Sequence, residues 1–146
     1  MLRYTVQIDI ALPRDKMIAL FDNPANLALW QKGFISMEHV SGQQGQPGAV
    51  SRLKYQMGNR TIEMLETITV RNLPFEFSGT YDTAGVHNIV KNYFEEIDAG
   101  NTRWRSYNEF QLSGFLKIMG WLMPGTFKKQ SMQFMQDFKT FAESSK

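Results

Sequence analysis

The stretch GFLKIMGWLMPGTFKKQSMQFMQDFKTFAE, Gly114 to Glu143, decides the fold. Phe127, Phe134, Met135, Phe138, Phe141 and Ala142 recur at helical spacing, so the stretch reads as one helix with an apolar stripe that some other element must cover. Thirty helical residues span about 45 Å. Pro124 removes a backbone donor and crowds the carbonyl four residues back, so the helix is predicted to bend there. That carbonyl belongs to Gly120, whose missing side chain eases the bend. The most apolar part, Gly114 to Met123, is interrupted by Lys117 and is about half the length that crosses a bilayer, so no integral membrane segment is expected.

What precedes this helix reads as strands. Tyr4, Val6, Ile8 and Ile10 alternate with Thr5, Gln7, Asp9 and Ala11, the period-two pattern of a half-buried strand, which Pro13 stops. Met17, Ile18, Leu20 and Phe21 fit a short helix from Pro13 to Phe21. Asn23-Pro24 opens a second short helix, with Asn as N-cap and Pro as first residue, carrying Leu27 and Trp30 inward. Strands then follow over Phe34–Val40, Val50–Met57 and Arg60–Val70, with a tight Gly58-Asn59 turn between the last two. Phe75–Tyr81, Val86–Ile97 and Thr102–Leu112 complete the set, joined through Asp82-Thr83-Ala84-Gly85 and Asp98-Ala99-Gly100-Asn101. Strands connected this way are antiparallel.

At 146 residues, 42% hydrophobic and 21% charged, the chain is expected to form one α+β domain over residues 1–146 with one core. Its formal charge of +2 is dispersed, with only Lys128-Lys129 and Arg103/Arg105 as dense basic spots, which argues against a nucleic-acid partner. The absence of cysteine excludes disulfides and thiolate metal sites. The first residues run directly into a strand instead of a signal segment, so a cytoplasmic location is expected.

The order strand, two short helices, six strands, long helix resembles the START-like superfamily, also called SRPBCC, whose members share the helix-grip fold. Its local marks are Ala28-Leu29-Trp30 after Asn23-Pro24, the stretch Ile62 to Ile68, Leu73-Pro74, Thr102-Arg103-Trp104 and Asp137-Phe138-Lys139. The resemblance implies a seven-stranded curved sheet wrapping the C-terminal helix, with a ligand cavity between them. It does not single out an activity, because the superfamily holds carriers, enzymes and interaction modules alike.

Strand parity assigns the inner wall. Leu53, Tyr55 and Met57 share a face, as do Ile62, Met64, Glu66, Ile68 and Val70. The sixth strand is phased with Val86, Asn88, Val90, Asn92 and Phe94 inward, and the seventh with Trp104, Ser106, Asn108, Phe110 and Leu112 inward. The expected ligand-binding residues are Tyr55, Met57, Met64, Glu66, Tyr81, Asn88, Asn92, Trp104, Asn108, Phe110, Met119 and Met123. Buried polar groups need partners, and Glu66 is the sharpest case. It reads as a ligand anchor, as an acid or base with a raised pKa, or instead as one half of a salt bridge to a neighbouring basic residue or a position at the cavity rim. The asparagines read as a hydrogen-bonding row in the pocket, or as outward groups if one bulge shifts the phase. The methionines read as a deformable lining or, more often for such residues, as plain core; Trp104 reads as lining and Trp30 as core near the entrance.

Gly42, Gly45 and Gly48 are spaced like a phosphate loop, but they join two strands and precede no helix. His39 and His87 lie on different strands with no carboxylate at ligand spacing, so no metal or other cofactor is expected. No serine sits in a nucleophile elbow. Three functions remain: a carrier of a small hydrophobic ligand such as a lipid or polyketide-like metabolite, a cyclase or dehydrase-type enzyme using Glu66, and a co-chaperone-like interaction module. The first is the preferred expectation, as a monomer or weak homodimer.

Overall fold

A computed structural model describes residues 1–145; Lys146 lies outside the described residues. The elements run β1 (Leu2–Ile10), α1 (Arg14–Phe21), a 3-10 turn (Pro24–Asn26), α2 (Leu27–Trp30), β2 (Phe34–Ser41), β3 (Val50–Met57), β4 (Arg60–Asn72), β5 (Glu76–Thr83), β6 (Val86–Asp98), β7 (Asn101–Leu112), α3 (Phe115–Leu122) and α4 (Pro124–Ser144). The strands form one antiparallel sheet in the order β1-β7-β6-β5-β4-β3-β2. Only β1 leaves sequence order. It pairs with the last strand, and the helical segment after it carries the chain to β2 at the opposite edge.

Local chemistry explains the joints. The Asn23 side chain accepts from the Ala25 amide, capping the 3-10 turn with Pro24 as its first residue. Gly33 sits at φ +78, and a Cβ there would lie 2.3 Å from the Gln56 carbonyl oxygen. Only glycine lets the α2–β2 joint lie this close to β3, where the Gln56 amide donates to the Gly33 carbonyl at 2.7 Å. Register shifts between Phe34 and Ser36, His39 and Ser41, Ile68 and Val70, and Glu96 and Asp98 bend the sheet.

The core lies on the concave side, where α4 and α1 meet β1, β7 and β6. Phe138, fully buried, makes ring contacts with Phe21, Trp30, Trp104 and Phe141 at centroid distances of 5.0–6.2 Å. Val6, Ile10, Met17, Phe94, Met135 and Ala142 close the cluster. On α4 the buried positions Met135, Phe138 and Ala142 follow the expected stripe, whereas Phe134 is 41% exposed.

Two expectations need correction. The C-terminal segment is two helices, not one bent helix: Met123, at φ −133 and ψ 55, is non-helical, and Pro124 starts α4. Proline fits better as the first residue of a helix, where no backbone donor is needed, than inside one. On β4 the shift between Ile68 and Val70 takes Val70 off the inner face, since it pairs with Ser78 whereas Ile68 pairs with Gly79. The extra residue brings Arg71 to the inner side instead, where its guanidinium donates to both Asp22 carboxylate oxygens at 2.8 and 2.6 Å and ties the end of α1 to β4.

Candidate functional site

The concave face divides into a half packed under α4 and a half over β2 to β5. Under α4, Trp104 is 2% exposed and ringed by Phe21, Phe94, Phe134 and Phe138; its indole N–H donates to Asn92 Oδ1 at 2.9 Å. Asn108 donates to Ser106 Oγ at 3.1 Å, and Asn88 donates to the Glu109 carbonyl at 3.2 Å. Phe110 lies between Tyr4 and Phe127, with centroids 6.0 and 4.9 Å away. Trp104 is therefore core and not cavity lining. Asn92 and Asn108 face inward, but each is spent on a neighbour in the packed half.

The other half, over β2 to β5, gathers polar side chains among apolar ones. Cross-strand pairing sets three rows on one face: Ser51–Glu66–Tyr81–Asn88, Met37–Leu53–Met64, and Phe34–Tyr55–Ile62. The Tyr81 hydroxyl donates to Glu66 Oε2 at 2.8 Å, and the Tyr55 hydroxyl donates to Gln31 Oε1 at 2.6 Å. Phe34 meets Tyr55 edge to face at 5.8 Å. These groups are deep among protein atoms yet keep some accessible surface.

Burial sets the protonation states. It raises the Glu66 carboxyl above its ordinary value, and the Tyr81 hydroxyl offsets part of that rise. Tyr81 and Tyr55 are raised too, first by burial and then by the nearby Glu66 charge, so both phenols stay protonated and act as donors. Beside this cluster a cleft of about 310 Å³ opens between the 3-10 turn and β2, lined by Pro24, Ala25, Phe34, Met37, His39 and Ser51 together with Gln44 of the following loop. Ser51 belongs to the cleft wall and pairs across the sheet with Glu66, whereas Glu66, Tyr55 and Tyr81 themselves do not line the cleft.

The structure thus brings Tyr55, Met64, Glu66 and Tyr81 together. Met119 is half-buried on α3. Met57 and Met123, 49% and 53% exposed, lie at a hairpin end and at the α3–α4 break, and are corrected to surface positions. Among the described residues no group of three or more His, Cys, Asp or Glu is gathered as a metal site. His39 contacts the Gly42 carbonyl, and His87 pairs with Asp82, its cross-strand neighbour.

No family model and no curated protein matches this chain. Solved structures do match over nearly its whole length. Ara h 8.0201 superposes with a TM-score of 0.78 at 16% identity, covering 97% of each chain. The Zhui aromatase/cyclase from Streptomyces sp. R1128 gives 0.79 at 12% identity, covering 97% of this chain and 93% of its own. A START superfamily protein from Mycobacterium smegmatis gives 0.79 at 7% identity, covering 100% of each chain. This is the START-like, helix-grip fold. At such identities the likeness is one of fold, and the site of this helix-grip chain has to be read from its own residues.

Sequence reasoning missed five of those residues: Gln31, Phe34, Met37, His39 and Ser51. Ser51 was available from parity, two positions before Leu53. Phe34, Met37 and His39 were not, because the bulge between Phe34 and Ser36 breaks the alternation on β2. Gln31 follows α2 and is placed only by the Gly33 approach to β3.

Proposed function

We propose that this protein holds a small, mainly apolar molecule with one hydrogen-bonding group in the concavity of β2 to β5, its polar end at Glu66. The observation that carries this reading is the Glu66 carboxyl itself. It lies deep on a concave wall beside an open cleft, with Tyr81 on Oε2 and no partner for Oε1 among the described residues. Burial raises the pKa of this carboxyl, and its unpartnered oxygen suits a ligand group that hydrogen-bonds there. Met37, Met64, Leu53 and Phe34 supply apolar surface that adapts to an uncertain shape. Fold likeness to Ara h 8.0201, an aromatase/cyclase and a START superfamily protein supports a ligand-holding role of this general kind.

A second reading takes the Glu66 carboxyl, whose pKa burial raises and whose Oε2 is held by Tyr81, as an acid or base toward an enolisable carbonyl, the chemistry of a cyclase or dehydrase. Native mass spectrometry of the protein purified from its own cells tests the first reading. A bound species released by organic solvent and lost in Glu66→Gln supports it. Bare protein, together with no retention of any apolar compound from a cell extract, counts against it.

A further inference from the structure

The helix α3 presents apolar side chains on two sides. Leu116, Met119 and Gly120 form the inward stripe; Gly120 comes so close to Leu112 at the end of β7 that a Cβ would lie 2.4 Å from its Cδ1. The outward side holds Phe115 at 72% exposure, Ile118 at 55%, Trp121 at 81% and Leu122 at 63%, followed by Met123 at the break. At about 100° per residue these four helical residues occupy an arc of roughly 120° opposite the packed stripe. A helix apolar on both sides is ordinarily buried on both, and an exposed patch this concentrated marks a contact surface.

Charge indicates what the contact is. From Phe110 to Gln136 the chain has Lys117, Lys128 and Lys129 and no Asp or Glu. All three lysines are exposed, and none forms an ion pair among the described residues. Lys117 borders Trp121 on the helical wheel, and Lys128-Lys129 fall in the opening turns of α4, just past the break. An apolar helix edged by cations without counter-ions matches the boundary of an anionic bilayer, where the side chains enter the acyl region and the ammonium groups meet the headgroups. Trp121, the most exposed large apolar side chain of the helix, is of the type that settles at that boundary.

We propose that α3 and the start of α4 dock the protein on the surface of a membrane containing anionic lipid, with Phe115, Ile118, Trp121 and Leu122 entering the interface. Among the described residues no helix is long and apolar enough to cross a membrane, and the proposed contact is attachment at the surface. The proposal does not depend on Glu66 holding a ligand.

The test is co-sedimentation of the full chain with vesicles of phosphatidylcholine alone and with phosphatidylserine added. The wild type is expected to pellet with the anionic vesicles, to be released by salt, and to show a blue shift of Trp121 emission that Trp121→Phe removes. Ile118→Ser with Trp121→Ser is expected to weaken binding at least about tenfold. Lys128→Gln with Lys129→Gln leaves α3 intact and is expected to weaken binding about tenfold or more, on anionic vesicles only. Near-UV circular dichroism checks that both variants stay folded. The proposal is overturned if the wild type stays in the supernatant with both vesicles, or if both variants bind as it does. It is also overturned if sedimentation velocity shows a dimer that Trp121→Ser dissociates while no vesicle binds, since a second copy then covers the helix.

Discussion

Replacing Tyr81 by Phe removes one oxygen and with it the 2.8 Å hydrogen bond to Glu66, leaving the ring in place. The loss depends on the protonation state of its partner. A net hydrogen bond between neutral groups contributes about 1 kcal/mol, and one to a charged group about 2 kcal/mol. Glu66 has a folded pKa raised above the reference value of 4.5, first by burial, with the Tyr81 hydroxyl pulling the other way. A raised folded pKa means that its stabilising effect is fully present below the unfolded pKa and is lost as pH rises through the folded one. Deleting the phenol removes the opposing influence, so the Glu66 pKa rises further and the loss at high pH deepens. Urea denaturation at pH 4 and pH 8 should give destabilisations of about 1 and about 2 kcal/mol respectively. Carbon-detected NMR should find the Glu66 carboxyl titrating at higher pH in Tyr81→Phe than in the wild type. Equal destabilisation at both pH values, or a pKa that falls, would refute the coupling.

Glu66→Gln removes the titration, so the variant should gain stability relative to the wild type as pH rises through the folded Glu66 pKa, read by the same denaturation series. For a carrier, the affinity of an apolar probe should fall by about 1 kcal/mol, whereas an acid/base catalyst should lose turnover about a hundredfold with binding retained. Phe138→Ala empties the centre of the aromatic cluster and should cost about 4 kcal/mol, lowering Tm by roughly 10 °C in calorimetry. Gly33→Ala forces a Cβ into the left-handed region and against the Gln56 carbonyl, and should cost about 1–3 kcal/mol in urea denaturation.

The topology was legible because its signals are local. Alternation in Tyr4 to Ile10, the Gly58-Asn59 turn and the Asn23-Pro24 cap each depend on a few adjacent residues, and the order of β2 to β7 follows from antiparallel neighbours, whereas the pairing of β1 with β7 has no local signal. Parity also placed Tyr55, Met64 and Glu66 on one face, since no register shift interrupts the β3–β4 pairing. Parity failed where an extra residue enters the ladder. The shift near Ile68 exchanges Val70 for Arg71, and the one near Phe34 hides the inner residues of β2. Packing was invisible for a different reason: an inward Trp104 serves as core or as lining according to whether Phe134 and Phe138 reach it from α4, which no strand pattern encodes. Met123 illustrates the same limit, because Pro124 is compatible with a bend and with a break, and the break leaves Met123 at the surface.

Nine methionines spread over core, concavity and surface make labelled-methyl NMR the most direct test of the ligand site. Titrating 13C-methyl-methionine protein with 8-anilinonaphthalene-1-sulfonate should shift the Met37 and Met64 resonances, which lie beside the Glu66 row. Met17 and Met135, buried at 0% and 1% exposure, should stay in place. Shifts confined to Met57 or Met123, or no shift at all at saturating probe, would contradict a binding concavity at β2 to β5.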